Sequence, residues 1–177
     1  MIVRTVRAFQ NCDAIASIVI VTREDLIRPI SGLCRDMSKV TAVVCGGSSR
    51  QESVHLGLNA LPKGTKLAAV HDGARPLVSW QVIDRVVRAA NTYGGAAPAI
   101  AVKDTIKVVK GGLVESTPDR ASLQAVQTPQ VFDFDLLRGA LKKAEEDKAQ
   151  VTDDCSAVER LGMKIKIVEG DERNLKV

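Results

Sequence analysis

Apolar positions along this chain recur at two alternating periods. Ile2, Val6 and Phe9 fall on one face at helical spacing, with Arg4 and Arg7 turned away, and predict a helix over residues 1–10. Residues 18–21 are a short apolar run of the buried-strand type. Helical spacing returns over residues 25–37 through Leu26, Ile30 and Leu33, with Pro29 in the first turns, where proline is best tolerated. The exchange then repeats. Residues 40–44 predict a strand, and a helix from about 50 to 61 buries Val54, Leu58 and Leu61. A strand over 67–70 precedes a helix over 79–93 with Val82, Val86 and Ala90 inward, and residues 96–100 form a strand interrupted by Pro98.

Strands alternating with helices imply an α/β fold of Rossmann-like, doubly wound type, with a mainly parallel sheet covered on both faces. The rhythm breaks once. From residue 102 to about 126, Lys-Asp-Thr-Ile-Lys-Val-Val, a Lys-Gly-Gly turn and Leu-Val-Glu-Ser-Thr give a β-hairpin with no helix between its arms. A hairpin has little of its own to pack against, so this insertion is expected to be an arm that grips a second subunit. The α/β pattern resumes with a helix over 134–147, burying Leu137, Leu141 and Ala144. Thr152 is placed to cap a short helix whose Asp153 and Asp154 meet the positive end of its dipole, and Gly162 suits its stop. Residues 164–168 alternate as a strand, and residues 174–177 open a segment that does not continue. The whole is expected to be one domain, 1–177, incomplete at both ends, with the 102–126 arm inserted in it.

Composition narrows the core and the partners. Hydrophobic residues make up 45% of 177 but aromatics only 3%, so the core must be aliphatic, as buried parallel strands require. The net charge of +4 is scattered, and no basic stripe is interleaved with aromatics, which disfavours nucleic acid and favours anionic small molecules. Cys12, Cys34, Cys45 and Cys155 share no zinc or redox spacing and suit reduced, buried thiols. No apolar run approaches the roughly 20 residues of a membrane span, and no signal-peptide core opens the chain, so a cytoplasmic protein without membrane contact is expected.

Four clusters carry groups suited to chemistry. His71-Asp72-Gly73-Ala74-Arg75-Pro76 puts an acid and a guanidinium where a strand hands over to a helix, the edge at which open α/β sheets bind ligands. An Asp that merely caps the helix, paired with its Arg, is the plainer reading. Gly46-Gly47-Ser48-Ser49-Arg50 joins a strand to a helix N-terminus and offers N–H groups and hydroxyls to an anion or a base edge, or else makes a tight turn. Arg120 and Thr128 could bind a second phosphate or be ordinary loop residues. Lys176 sits where a solvated Lys is the default. His71 follows a buried strand without any Ser or Cys nucleophile motif, so a structural role with a ring nitrogen bonded to backbone is expected, and His55 reads as a helix-face residue.

Taken together, these segments resemble the 2-C-methyl-D-erythritol 4-phosphate cytidylyltransferases of the non-mevalonate isoprenoid pathway. The matching stretches are Gly46-Gly47 with Arg50, Ser53 and Val54; residues 71–76; Lys103-Asp104-Thr105-Ile106-Lys107; Asp119-Arg120; residues 127–132; Thr152-Asp153-Asp154; and Asn174-Leu175-Lys176-Val177. They occur in the family's order from end to end. Ribitol-phosphate cytidylyltransferases share several of them, but Arg50-x-x-Ser53-Val54 and the arm between Thr105 and Arg120 look closer to the isoprenoid enzyme.

The resemblance implies a homodimer that moves CMP from CTP to methylerythritol phosphate, releasing pyrophosphate, with Mg2+ bound mainly through the CTP phosphates and no protein metal ligand. It implies Arg120 and Lys176 as catalytic residues positioning the substrate phosphate. Asp72, Arg75, Thr105, Thr128 and Thr152 become substrate-binding residues, and Gly46, Gly47, Ser48, Ser53, Asp72 and Gly73 lie against the nucleotide. Ser48 stands where the family usually has Asp, so only a backbone contact is carried over there. The family's opening strand and loop, Ala-Ala-Gly-x-Gly-x-Arg followed by Lys, match nothing in these residues. The chain is therefore expected to be a fragment with weak or no turnover, with a non-catalytic dimerising remnant as the contrasting reading.

Overall fold

A computed structural model describes residues 1–177. Helix α1 (Ile2–Gln10) leads into β1 (Ile18–Thr22), α2 (Ile27–Cys34), β2 (Val40–Cys45), α3 (Arg50–Asn59), β3 (Leu67–Val70), α4 (Trp80–Tyr93) and β4 (Gly95–Ala101). The hairpin β5 (Val108–Lys110) and β6 (Leu113–Ser116) follows. Next come β7 (Gln124–Val126), β8 (Gln130–Asp133), α5 (Phe134–Glu146), α6 (Asp154–Glu159) and β9 (Lys166–Glu169).

Strands β1 and β2 pair in parallel as a two-stranded sheet. In the five-stranded sheet β8 lies antiparallel between β3 and β4, β7 continues along the same edge of β4, and β9 runs parallel to β4 on its other side. Thus β3, β4 and β9 point the same way and deliver their C-terminal ends to one edge. Neighbouring residues of the central strands face opposite layers. Ala96 and Val131 join Val82, Ile83 and Val86 of α4 on one face, whereas Ala97 and Phe132 join Leu58, Leu137, Leu141 and Val158 on the other. That two-sided burial is the doubly wound arrangement expected. A third cluster, Val6, Ile20, Ile30, Cys34 and Met37, seals α1 and α2 against β1.

Ser79, Asp133 and Asp153 each cap a helix by accepting from the N–H three residues on. The last of these corrects the expectation for Thr152, which is exposed and stands one residue before the true cap. Leu33 and Leu26 also depart from expectation, being 61% and 36% exposed, while Ile30 and Cys34 face the core. A 3-10 turn over Glu24–Leu26 precedes α2. Its tighter winding, three residues per turn, shifts the helical phase that a continuous α-helix from residue 25 would have had.

Pro98 does not interrupt β4; it is fully buried and lies opposite Val168 in the ladder to β9. Strand β8 is absent from the expected elements. The arm is shorter than the expected 102–126, because Gln124–Val126 pairs with β4 and belongs to the main sheet. Its tip turns through Gly111 and Gly112 at φ of 57° and 80°, the double positive φ of a tight hairpin that residues with a Cβ resist. All four cysteines are free thiols, with Cys12, Cys34 and Cys155 buried and Cys45 exposed.

Candidate active site

The turn after β3 is tied down from three sides. Thr5 of α1 donates to the Gly73 carbonyl at 2.8 Å, and the Phe9 ring lies 4.7 Å from the His71 ring, centroid to centroid. His71 Nε2 is 3.2 Å from the Arg75 carbonyl, which can only accept, so that nitrogen carries the proton. Nδ1 of the neutral ring is then an acceptor, and the Thr128 hydroxyl donates to it at 2.9 Å. The Thr128 oxygen in turn accepts from the Asp72 N–H at 3.1 Å. Desolvation is the main reason that the His71 pKa falls to about 4, which keeps this chain of donors pointing one way at neutral pH. The expected structural role of His71 thus has a definite form.

The Asp72 carboxylate faces two cations. Its Oδ2 is 3.1 Å from Lys176 Nζ and 3.3 Å from Arg75 Nε. Partial burial works to raise this carboxyl, but Lys176 and then Arg75 outweigh it and hold it below the usual carboxylate range. Arg75 also donates to the Asn174 carbonyl at 2.7 Å, and the Val177 N–H to the Ala74 carbonyl at 2.9 Å. Two cations thus face this one carboxylate at the sheet edge, where an incoming phosphate could compete for them.

Residues 46–53 form a second preorganised piece. Ser49 caps α3 by accepting from the Glu52 N–H at 3.1 Å, and Ser53 Oγ accepts from the Gly47 N–H at 3.1 Å while donating to the Ser49 carbonyl at 2.8 Å. Glu52 takes both the N–H and the hydroxyl of Ser48, each at 2.7 Å. A Cβ on Gly47 would run into the Glu52 side chain and displace it from Ser48. The N–H groups of Gly47 and Ser48, expected to face a nucleotide, are therefore engaged by Ser53 and Glu52.

Arg50 ties this loop to α6. Its guanidinium meets the Asp154 carboxylate in a fork, Nη1 to Oδ1 at 3.0 Å and Nη2 to Oδ2 at 2.6 Å. Asp154 is fully buried; burial raises its carboxyl above the ordinary range, with Arg50 opposing. Gln130 of β8 accepts from the Asp154 and Cys155 N–H groups at 3.1 and 3.0 Å and donates to Asp153 at 2.8 Å.

The structure thus brings Asp72, Arg75, Thr128 and Lys176 into one hydrogen-bonded cluster, with Gly73 in the same turn. Gly46, Gly47, Ser48 and Ser53 stand in a separate loop. Thr105, Arg120 and Thr152 are exposed and touch none of these residues. Arg120 donates to the Lys103 carbonyl at 2.8 Å, and Lys103 in turn pairs with Glu172 at 2.5 Å, so the base of the arm leans on the loop that leads to Lys176. The contributions of Gln127, Gln130, Glu52, Asp154 and the Asn174 side chain were missed from sequence. Only Glu52 carried a local signal, the Ser-x-x-Glu spacing of a capping box.

No three His, Cys, Asp or Glu side chains converge as a metal cage, and the Asp72 carboxylate is already shared by two cations.

A doubly wound α/β fold with cations and hydroxyls gathered where its parallel strands end defines a class, the phosphate-handling proteins. Within that class residues 1–177 match the family described as IspD: 2-C-methyl-D-erythritol 4-phosphate cytidylyltransferase, and the chain belongs to that family. It is 45% identical to the protein of that name from Geobacillus kaustophilus, covering all of this chain and 78% of the relative. With the one from Desulforamulus reducens the identity is 41%, covering 100% and 77%. Among solved structures, the 4-diphosphocytidyl-2C-methyl-D-erythritol synthase of Anaerococcus prevotii superposes with a TM-score of 0.93 at 28% identity, covering 99% of this chain and 79% of that one. The Thermus thermophilus cytidylyltransferase gives 0.84 at 32%, covering 98% and 80%. The ribitol alternative finds no support among these relatives, whose names all specify the methylerythritol substrate.

Proposed function

We propose that this chain transfers CMP from CTP to 2-C-methyl-D-erythritol 4-phosphate with release of pyrophosphate, a step of non-mevalonate isoprenoid synthesis. The observation that carries the reading is the Asp72–Arg75–Lys176 cluster, which sits in a chain of this family at the edge where such sheets bind ligands. In the reaction a substrate phosphate oxygen attacks the α-phosphorus of CTP, a new P–O bond forms, and the bond to the β-phosphate oxygen breaks with its electron pair leaving on pyrophosphate. A phosphate monoester with a second pKa of about 6 is mostly dianionic at neutral pH, so the nucleophile needs no base. The barrier lies in bringing two anions together, and fixed cations supply what is needed. Bound Mg2+, carried by the CTP phosphates, would neutralise charge on the triphosphate.

Lys176, 61% exposed at its side chain, can exchange Asp72 for the substrate phosphate, and Arg75 stays anchored to the Asn174 carbonyl as the substrate docks. Thr128 acts by holding Asp72, since its hydroxyl is committed as both donor and acceptor. Arg120 and Thr105, exposed beside the arm, would reach the phosphate from outside the cluster, and Thr152 would approach it from the loop before α6. The loop at Gly46, Gly47 and Ser48 would receive the cytidine once Ser53 and Glu52 release its N–H groups. The arm would pair two copies of the chain, because Val109 and Val114, opposite each other in the hairpin, and Leu113 at its tip are 57%, 60% and 76% exposed.

Incubating the chain, alone and with the family's glycine-rich segment joined ahead of residue 1, with CTP, Mg2+ and either methylerythritol phosphate or ribitol 5-phosphate tests the assignment. Pyrophosphate release dependent on methylerythritol phosphate is expected. Release with ribitol phosphate alone would overturn the substrate, and release with neither would overturn the activity of this chain.

A further inference from the structure

Lys176 belongs to a segment, residues 174–177, with neither helix nor strand to hold it. Ordering each such residue costs on the order of 1–2 kcal/mol of backbone entropy. A partly exposed Lys–Asp pair contributes at most about 1 kcal/mol, so the contact with Asp72 cannot by itself fix where the ammonium stands. The Val177 N–H on the Ala74 carbonyl pins the far side of Lys176, and the near side needs a holding group of its own.

Asn174 has the properties of that group. It is completely buried, and its Nδ2 donates to the Thr128 carbonyl at 2.8 Å and to Gln127 Oε1 at 3.3 Å. Its backbone is used twice more, the N–H toward the Asp171 carbonyl at 2.9 Å and the carbonyl toward Arg75 Nη1 at 2.7 Å. Gln127 closes the arrangement by donating to the Asp171 carbonyl at 2.8 Å and accepting from the Asp171 N–H at 3.2 Å. Asn174 Oδ1, in contrast, is buried without a partner. An unpartnered acceptor adds no stability, so what the side chain contributes comes through its amide donors. The amide is therefore best explained by its two donors, which a leucine or an aspartate at this position would lack.

We propose that Asn174 is a positioning residue for the transfer reaction: by hydrogen-bonding the Thr128 carbonyl and Gln127, it holds Lys176 over Asp72. The role assigned to Lys176 rests on the function proposed above; the placement of Lys176 by Asn174 does not.

The test is a carboxyl-carbon NMR titration of Asp72 in the 177-residue chain, its signal assigned through Asp72→Asn, for Asn174→Leu, Lys176→Met and the double variant. The Asp72 midpoint is expected to rise in Asn174→Leu as it does in Lys176→Met, and the double variant should show no additional rise, because both changes remove the same ammonium. In turnover, kcat should fall by a factor within about twofold of that for Lys176→Met, with the KM for CTP little changed. A midpoint that moves in Lys176→Met but stays in place in Asn174→Leu would overturn the proposal. Should the leucine variant fail to fold, Asn174→Ala removes the same donors without a clash and is read identically. A shifted midpoint in a chain that turns over no CTP would leave the positioning role standing and remove the proposed function. Turnover with an unshifted midpoint would do the reverse.

Discussion

Lys176 and Arg120, the two cations assigned to the same phosphate, sit in opposite surroundings. Lys176 pairs with Asp72, in a segment fastened by Asn174, Arg75 and Ala74. Arg120 lies on an exposed 3-10 turn at the base of the arm, where its one side-chain bond goes to a backbone carbonyl. The sheet edge is thus fastened by several bonds within the chain, while the arm side is held only by the Arg120–Lys103 carbonyl bond and the exposed Lys103–Glu172 pair. A site divided in this way can keep one half of its cations at fixed spacing and let the other half arrive with the ligand or with a second subunit.

Several substitutions would break or sharpen that contrast. The largest effect is expected from Arg50→Ala, which leaves the buried Asp154 carboxylate without its partner; a loss of about 3–5 kcal/mol in urea unfolding is expected. Asp154→Asn should cost less, since Arg50, with 43% of its side chain exposed, can turn to water. Equal losses from the two would mean that the pair is not as asymmetric as it stands here.

Lys176→Ala and Arg120→Ala should each lower kcat by about 10²–10³-fold, the scale of a single lost charge-stabilising donor. Their stabilities should both change little, and only Lys176→Ala should raise the Asp72 midpoint. A similar rise from Arg120→Ala would place both cations in one cluster and remove the contrast.

Thr128→Val tests the preassembled side from within. It leaves the Asp72 N–H and His71 Nδ1 without partners, for an expected loss of about 1–3 kcal/mol. His71 gives this side a pH signature. Its pKa is about 4 in the folded chain, against roughly 6.5 when unfolded, so the unfolded state binds the proton first on acidification. Stability from this group is complete above about pH 6.5 and is lost as pH falls through 4, on the order of 3 kcal/mol in all. His71→Gln should flatten that part of a stability–pH profile, and an unflattened profile would assign the acid loss to other groups. The smallest effect on folding is expected at the arm. Leu113→Glu should leave the melting of the fold within about 0.5 kcal/mol of the parent, and on the proposed pairing of two arms it should lower the mass seen by light scattering to that of a monomer.

The same contrast separates what the sequence made legible from what it did not. Helices α4 and α5 could be placed because their apolar faces repeat at helical spacing, and the strands β1 to β4 because their runs are aliphatic and short. Strand β8 was missed because it has four residues, follows Pro129 directly and passes into α5 without a loop. Its partners, β3 and β4, lie more than thirty residues away in sequence. Asp72, Arg75 and Lys176 could be named as candidates from residue type, position at strand ends and resemblance. Their supports could not. Asn174 reaches Thr128 across 46 residues and Arg50 reaches Asp154 across 104, and no local spacing encodes either contact.

Native-state amide hydrogen exchange is the most direct test that one half of the site is built in advance and the other is not. The Asp72 and Asn174 N–H groups, held by Thr128 and by the Asp171 carbonyl, are expected to exchange on the slow timescale of the sheet core in the ligand-free chain, while the Ala121 N–H beside Arg120 exchanges quickly. Exchange at Asp72 and Asn174 as fast as at Ala121 would contradict the account.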